Sequence, residues 1–261
     1  MQFDEKWSFV GKKQDHCDPG NPLDLLKGDD WSHIAIDPEH RLLISLVPGK
    51  RTGENCEKLV EDTKRRTGGR TDLLITSDEH SPYTPAIEKA YAREVPRPKK
   101  PGPGRRPKPD RVMPEDLCYA TVCKTRKHGR VVEVVRAVVF GTAARLAAML
   151  KRSTVSKTVN TAFVERANGT ERGMNARTTR KTYCFSKQWE FHNAAAYLIG
   201  FSYNFCWPVR TLRVPTTSGQ RMSGSPIPHG RLSEVQTPPD AACDLLAAGQ
   251  APSLPHDLLR P

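Results

Sequence analysis

The sequence predicts an α/β fold: a mixed sheet that opens with a three-stranded antiparallel meander, continues into parallel strands and is flanked by helices. Three observations lead there. Residues 2–10 alternate as a strand does, with Phe3, Glu5, Trp7 and Phe9 on one side and Asp4, Lys6 and Ser8 on the other. Residues 31–37 and 40–47 are apolar runs separated by a turn at Pro38 and Glu39, a hairpin that completes the meander. Residues 72–77, DLLITS, are a nearly continuous apolar run, which suits a buried central strand reached through a helix.

That helix spans residues 54–66, where Cys56, Leu59, Val60 and Thr63 recur at helical spacing before Gly68 and Gly69 end it. Another is expected at 82–92, with Pro82 near its start. Composition then changes. Residues 92–112 hold six prolines, eight Lys or Arg and two acidic residues, which cannot bury a core and favour an extended backbone. Residues 92–116 are therefore read as a flexible, basic Pro/Arg-rich insertion, suited to lie along a phosphate backbone. Strands at 117–124 and 131–140 flank a KHGR turn, a short Ala/Leu helix follows at 143–150, and residues 188–203 form a long helix packed on the sheet. Residues 213–261 are rich in Pro, Ser and Gly; disorder is expected there apart from a short helix at 240–248. One domain, residues 1–212, carries the core.

The 41 basic and 29 acidic residues give a net charge of +12 and a pI near 9.5, which points to a polyanionic partner, most commonly nucleic acid. Mean hydropathy is −0.60, so the apolar residues must be concentrated in part of the chain. No run approaches 18 apolar residues, and the first 13 residues lack a signal-peptide pattern; neither membrane nor secretion is implied, and a cytoplasmic protein is expected. The seven cysteines include no CxxC pair and no neighbouring His or Cys pair that completes a zinc site, so they read as reduced thiols, mostly small core residues.

Residues 160–187 concentrate the chemistry. With Asn160 near the N-cap and 100° per residue, Phe163, Val164 and Ala167 make a core stripe, while Glu165, Asn168 and Arg172 share the opposite side. Arg177, Arg180 and Lys181 follow as a basic stripe for DNA. Two more carboxylates stand out by position: Asp4 mid-way along the first strand and Asp78 just past the buried one. Were those strands parallel neighbours, Asp4 and Asp78 would share a metal, and the helix would bring Glu165 over the same edge. Two Asp and one Glu suit Mg²⁺ or Mn²⁺ in a two-metal site about 3.5–4 Å across, which activates an attacking water or 3′-hydroxyl and stabilises the leaving oxygen of an in-line phosphoryl displacement.

Four segments carry a family resemblance. They are Phe3-Asp4-Glu5-Lys6-Trp7-Ser8-Phe9-Val10-Gly11, Ser77-Asp78 with Tyr83, Glu165-Arg166-Ala167-Asn168-Gly169-Thr170-Glu171-Arg172, and Arg180-Lys181-Thr182 through Ser186. In this order, over residues 2–212, the chain resembles the transposases of the IS1 insertion-sequence family. The resemblance implies an RNase H-like fold with a DDE site: Asp4, Asp78 and Glu165 as ligands of Mg²⁺ or Mn²⁺, Arg172 on a DNA phosphate, and Asn168 in support. It implies double-stranded DNA as partner, both element ends and target, and a homo-oligomer on that DNA.

Two departures follow. Asp78 and Glu165 are 87 positions apart, so the resemblance makes residues 92–140 or beyond an insertion; Glu115, nearer the spacing of other DDE enzymes, lies in a Met-Pro-Glu-Asp segment without a helix and is set aside. The family also carries a zinc-binding and helix-turn-helix region ahead of the first Asp, here expected upstream or on a separate chain. Three functions stay open, the first two being metal-dependent cleavage and strand transfer at element ends, or a truncated, inactive remnant acting only as a basic DNA-binding module. A related two-metal nuclease is the third reading.

Overall fold

Strand β1 (Gln2–Val10) is the axis of the sheet. The computed structural model describes residues 1–98 and 107–207, with Val209 and Leu212. A 3₁₀ turn (Gln14–His16) and the short helix α1 (Pro22–Leu25) lead to β2 (Gly28–Asp37) and β3 (Leu42–Val47), the remainder of the meander. Then come α2 (Gly53–Arg66), β4 (Leu74–Ser77), α3 (Tyr83–Tyr91), the short strands β5 (Arg93–Val95) and β6 (Asp110–Val112), and the hairpin β7 (Cys118–Lys127) and β8 (Arg130–Phe140). Three helices close the chain: α4 (Ala143–Arg152), α5 (Ala162–Met174) and α6 (Trp189–Phe205).

The six-stranded sheet has the order β3-β2-β1-β4-β7-β8. β1 is antiparallel to β2 and parallel to β4, β4 is parallel to β7, and β7 is antiparallel to β8. The fold is thus α/β with a mixed sheet, as expected, and its helices cover both faces. On one, α2 and α3 bury Leu59, Val60, Tyr83 and Ile87 against Phe3, Ile75 and Tyr119. On the other, Val164 and Ala167 of α5 and Tyr203 of α6 pack on Ile34 and Ile36. Leu146 and Leu150 of α4 cover Ala120, Val122 and Val159. Each cluster removes several large apolar side chains from water at roughly 1.5–3 kcal/mol apiece, which drives the layering.

α2 starts where Thr52 accepts a hydrogen bond from the Asn55 amide, and its Cys56, Leu59, Val60 and Thr63 are buried, the stripe read from the sequence. α5 begins one residue later than expected, with Thr161 at its N-cap. Gln2 does the capping: its Oε1 accepts from the Phe163 and Val164 amides, both at 3.0 Å, and its Nε2 donates to the Asn160 carbonyl.

Two expectations need correction. Residues 118–127 do not stand outside the sheet: β7 is an integral parallel strand, its unbroken buried run Cys118 to Val122 lying between β4 and β8. The stretch between α3 and β7 stands outside the six-stranded sheet, and its flanks pair as β5 and β6. Its middle, 99–106, lies outside the described residues, as do the 213–261 tail and the 240–248 helix. Among the six described cysteines, all free, Cys56 and Cys118 are core residues, but Cys184 and Cys206 are exposed. Trp7 and Trp31 are register partners only half-buried, covered by Lys13 and Arg51 respectively.

Candidate active site

Strand periodicity builds the site. In the β1–β4 pairing Gln2 lies opposite Thr76. Two residues further on, Asp4 comes level with Asp78, on the face that α5 covers. Thr76 Oγ1 donates to the Asn160 carbonyl at 3.1 Å, tying the entry of α5 to the same two strands. The even-numbered side chains of β1 then meet the helical layer in turn. Gln2 caps α5, Asp4 accepts from Asn168 Nδ2 at 2.7 Å, Lys6 forms an ion pair with Glu171 at 2.5 Å, and Ser8 reaches His192 of α6 at 3.2 Å. The buried arc of α5 is Val164, Ala167, Asn168 and Glu171, leaving Glu165 and Arg172 on its rim. Asn168 therefore faces the sheet, not solvent, because it is bonded to Asp4.

Asp4, Asp78 and Glu165 line one cavity of about 280 Å³, together with Thr161, Lys124 and Arg126. Burial, followed by the Asp78 and Glu5 carboxylates, pushes the pKa of Asp4 up to about 7. Asp78 is raised as well, by burial and then by Glu5, while its Oδ1 accepts from the His80 amide at 3.2 Å. Glu165 behaves differently. Burial pushes it up, but hydrogen bonds from Lys124 and from Thr161, the latter at 2.6 Å, hold it below the usual carboxylate range. Two carboxylates of the cavity thus resist ionisation while the third is already neutralised by a lysine. Among the described residues, no three His, Cys, Asp or Glu side chains come close enough together to hold a metal ion.

The other expected residues are divided. Arg172 is half-buried near Asp4, its Nη2 3.5 Å from the Trp7 carbonyl and its Nε without a partner; burial and then Arg180 lower its pKa. Arg177, Arg180 and Lys181 do not line the cavity. They sit on the segment joining α5 to α6, with Arg180 and Lys181 exposed and Lys181 in the left-handed region at φ 56°. That segment is pinned: Thr182 Oγ1 donates to the Ala176 carbonyl at 2.7 Å, and the Gly11 amide donates to the Ser186 carbonyl at 2.7 Å. A buried network finishes the anchor, with His192 Nδ1 2.8 Å from Ser186 Oγ and Nε2 3.1 Å from Asp30. Glu115 is exposed in the loop before β7 and lines no part of the cavity.

Sequence reasoning missed Lys124, Arg126 and Thr161. A signal existed for the first two: on β7 a period of two puts Val122, Lys124 and Arg126 on one face, with Val122 buried beside Val159. It also missed the Glu5–Arg51 ion pair at 2.9 Å on the opposite face of β1, behind Asp78. The described residues contain no helix long and apolar enough to cross a membrane. Compared with protein-family models, curated proteins and solved structures, the chain finds no match.

Proposed function

We propose that this chain is a DNA transposase catalytic domain with an RNase H-like fold, which cuts and joins DNA ends by metal-dependent phosphoryl transfer. The observation that carries the reading is the meeting of Asp4, Asp78 and Glu165, 161 positions apart at the extremes, at one cavity on a basic protein. An antiparallel meander running into parallel strands supports the RNase H-like assignment. The donor set fits Mg²⁺ or Mn²⁺ at two of its three members: Asp4 and Asp78 are half-buried carboxylates whose repulsion a divalent cation would relieve. Glu165 joins them only if Lys124 lets go.

With such ions bound, the chemistry supplied is activation of water or a 3′-hydroxyl and stabilisation of the leaving oxygen. The chain's own residues then have definable tasks. Asn168 fixes the orientation of Asp4 through its 2.7 Å hydrogen bond. Lys124, released from Glu165, and Arg126 stand on the cavity wall as phosphate contacts. Arg180 and Lys181 track the duplex further out.

One observation favours a second reading, a basic DNA-binding module without catalysis: Glu165 is tied to Lys124, and no three-ligand cluster forms among the described residues. A single set of measurements separates the two. With Mn²⁺ and duplex DNA, the wild type should nick and join strands. Asp78→Ala should lose roughly 10³-fold or more of that activity while DNA affinity, by fluorescence anisotropy, stays within about twofold. Lys124→Ala should tighten Mn²⁺ binding in calorimetry. Tight DNA binding by a wild type that never cuts would favour the module, and undiminished cutting by Asp78→Ala would remove these residues from the chemistry.

A further inference from the structure

Helix α6 has no charged face. Beyond Glu190 in its first turn it carries no Asp, Glu, Lys or Arg, in a chain that is 27% charged. One side, formed by His192, Ala196, Gly200 and Tyr203, is buried on the sheet. A Cβ at Gly200 would stand 3.0 Å from Leu43 Cδ2 and 3.2 Å from Leu46 Cδ2, so glycine lets the helix approach β3 closely. Asn204 sets the rotation: its Oδ1 accepts from the Leu43 amide at 2.9 Å and its Nδ2 donates to the Leu43 carbonyl at 2.8 Å.

With the rotation fixed, Phe191, Ala194, Leu198, Phe201 and Phe205 point outward, all exposed, Phe191 at 63% and Leu198 at 64%. Their steps of three, four, three and four residues are those of an a/d seam, which helix partners bury. A helix apolar on every side is ordinarily covered on every side. Phe201 and Phe205 stack at 4.6 Å, giving the seam a flat aromatic end.

We propose that a second copy of this chain docks on the seam, α6 against α6, antiparallel about a two-fold axis at Leu198. Three features favour a copy. The seam is self-complementary: centred on Leu198, antiparallel pairing sets Phe191 level with Phe205 of the copy and puts the small Ala194 beside the bulky Phe201. The flanking Ala195, Tyr197 and Ser202 are uncharged, which locally lowers the repulsion that a net +12 imposes between copies. The area fits a modest contact. Four large side chains expose roughly 400 Å² of apolar surface, taking 150–250 Å² per aromatic, about half of the ~800 Å² per partner of a standard interface and in the range of a small, weaker one once the flanks are added. Both helices are already formed on their sheets, so pairing requires no helix nucleation.

Analytical ultracentrifugation of the full chain, metal-free and DNA-free, tests it. The wild type should sediment as a dimer at micromolar concentration. Leu198→Glu, at an exposed position, should be monomeric with an unchanged circular dichroism spectrum and thermal midpoint, and Phe201→Glu repeats the test on the same seam should the first variant not fold. A monomeric wild type overturns the proposal, whether residues 208–261, another protein or a lipid surface then covers the helix. So does a dimer that survives both substitutions, which would place the contact elsewhere, for instance on the valine-rich edge strand β8.

Discussion

Asp4 bears the largest electrostatic strain among the three cavity carboxylates. Its pKa of about 7 lies above the ordinary carboxylate value because burial and the charges of Asp78 and Glu5 disfavour ionisation in the fold. The folded protein therefore binds more protons than the unfolded chain between about pH 4 and 7, and stability from this group falls as pH rises through that window. In metal-free protein, Asp4→Asn should match the wild type in urea denaturation at pH 4 and exceed it at pH 8 by roughly 2 kcal/mol, a figure reduced from the full shift because the site is open to solvent. Asn168 can donate to an amide oxygen as well as to a carboxylate, so the substitution keeps the contact. Equal stability at both pH values would mean that solvent screens Asp4 fully. The sequence pointed to Asp4 through its place on the polar side of an alternating strand, but its elevated pKa depends on burial under a helix more than 150 positions away and on Asp78, 74 positions along the chain.

At the scale of elements, β1 and α5 are joined by a polar ladder, where an apolar seam would be the ordinary solution. Its strongest rung is Lys6–Glu171, with side chains 0% and 5% exposed. Desolvation offsets most of the attraction in such a pair, but leaving one charge alone is far worse. Lys6→Met should thus destabilise the domain by about 3–5 kcal/mol in urea melts, while Lys6→Met combined with Glu171→Leu should recover most of that loss. Additive losses in the double variant would show that the two residues act separately. The purpose of a polar ladder is register. A hydrophobic seam tolerates sliding, whereas Gln2 on two amides of α5, Asn168 on Asp4 and Glu171 on Lys6 are satisfied together in one position of the helix. That position sets Glu165 at the cavity. The alternation of residues 2–10 and the helical spacing of 163–172 were legible separately; which faces would meet was not, because hydrophobic periodicity cannot say which polar side chains find one another.

Across the whole molecule, the net charge of +12 is the feature on which the proposed contact with DNA can be tested. Arg180 and Lys181 stand exposed on a segment braced at both ends, so they can meet phosphates without first being ordered. Replacing both with alanine should reduce the magnitude of the slope of log K against log salt for duplex DNA by roughly 1.8, at about 0.9 for each phosphate no longer neutralised, and weaken binding alike on every sequence. An unchanged slope would place the DNA elsewhere on the surface. The braces are Ser186, His192 and Asp30, drawn from two distant parts of the chain, and no local pattern around Arg180 announces them.

The sequence by itself determined the order and kind of most elements, since each follows from a repeat of two or of 3.6 within a short window, and it determined the strongly basic character of the chain. Only the tertiary structure decided that residues 118–127 belong to the sheet, that Lys124 holds Glu165, and that α6 turns an apolar seam outward. The physical reason is the same in each case. Local periodicity fixes which side of an element is apolar, whereas pairings between charges and between faces are settled by packing among residues far apart in the chain, where burial makes an unpaired charge costly and a paired one specific.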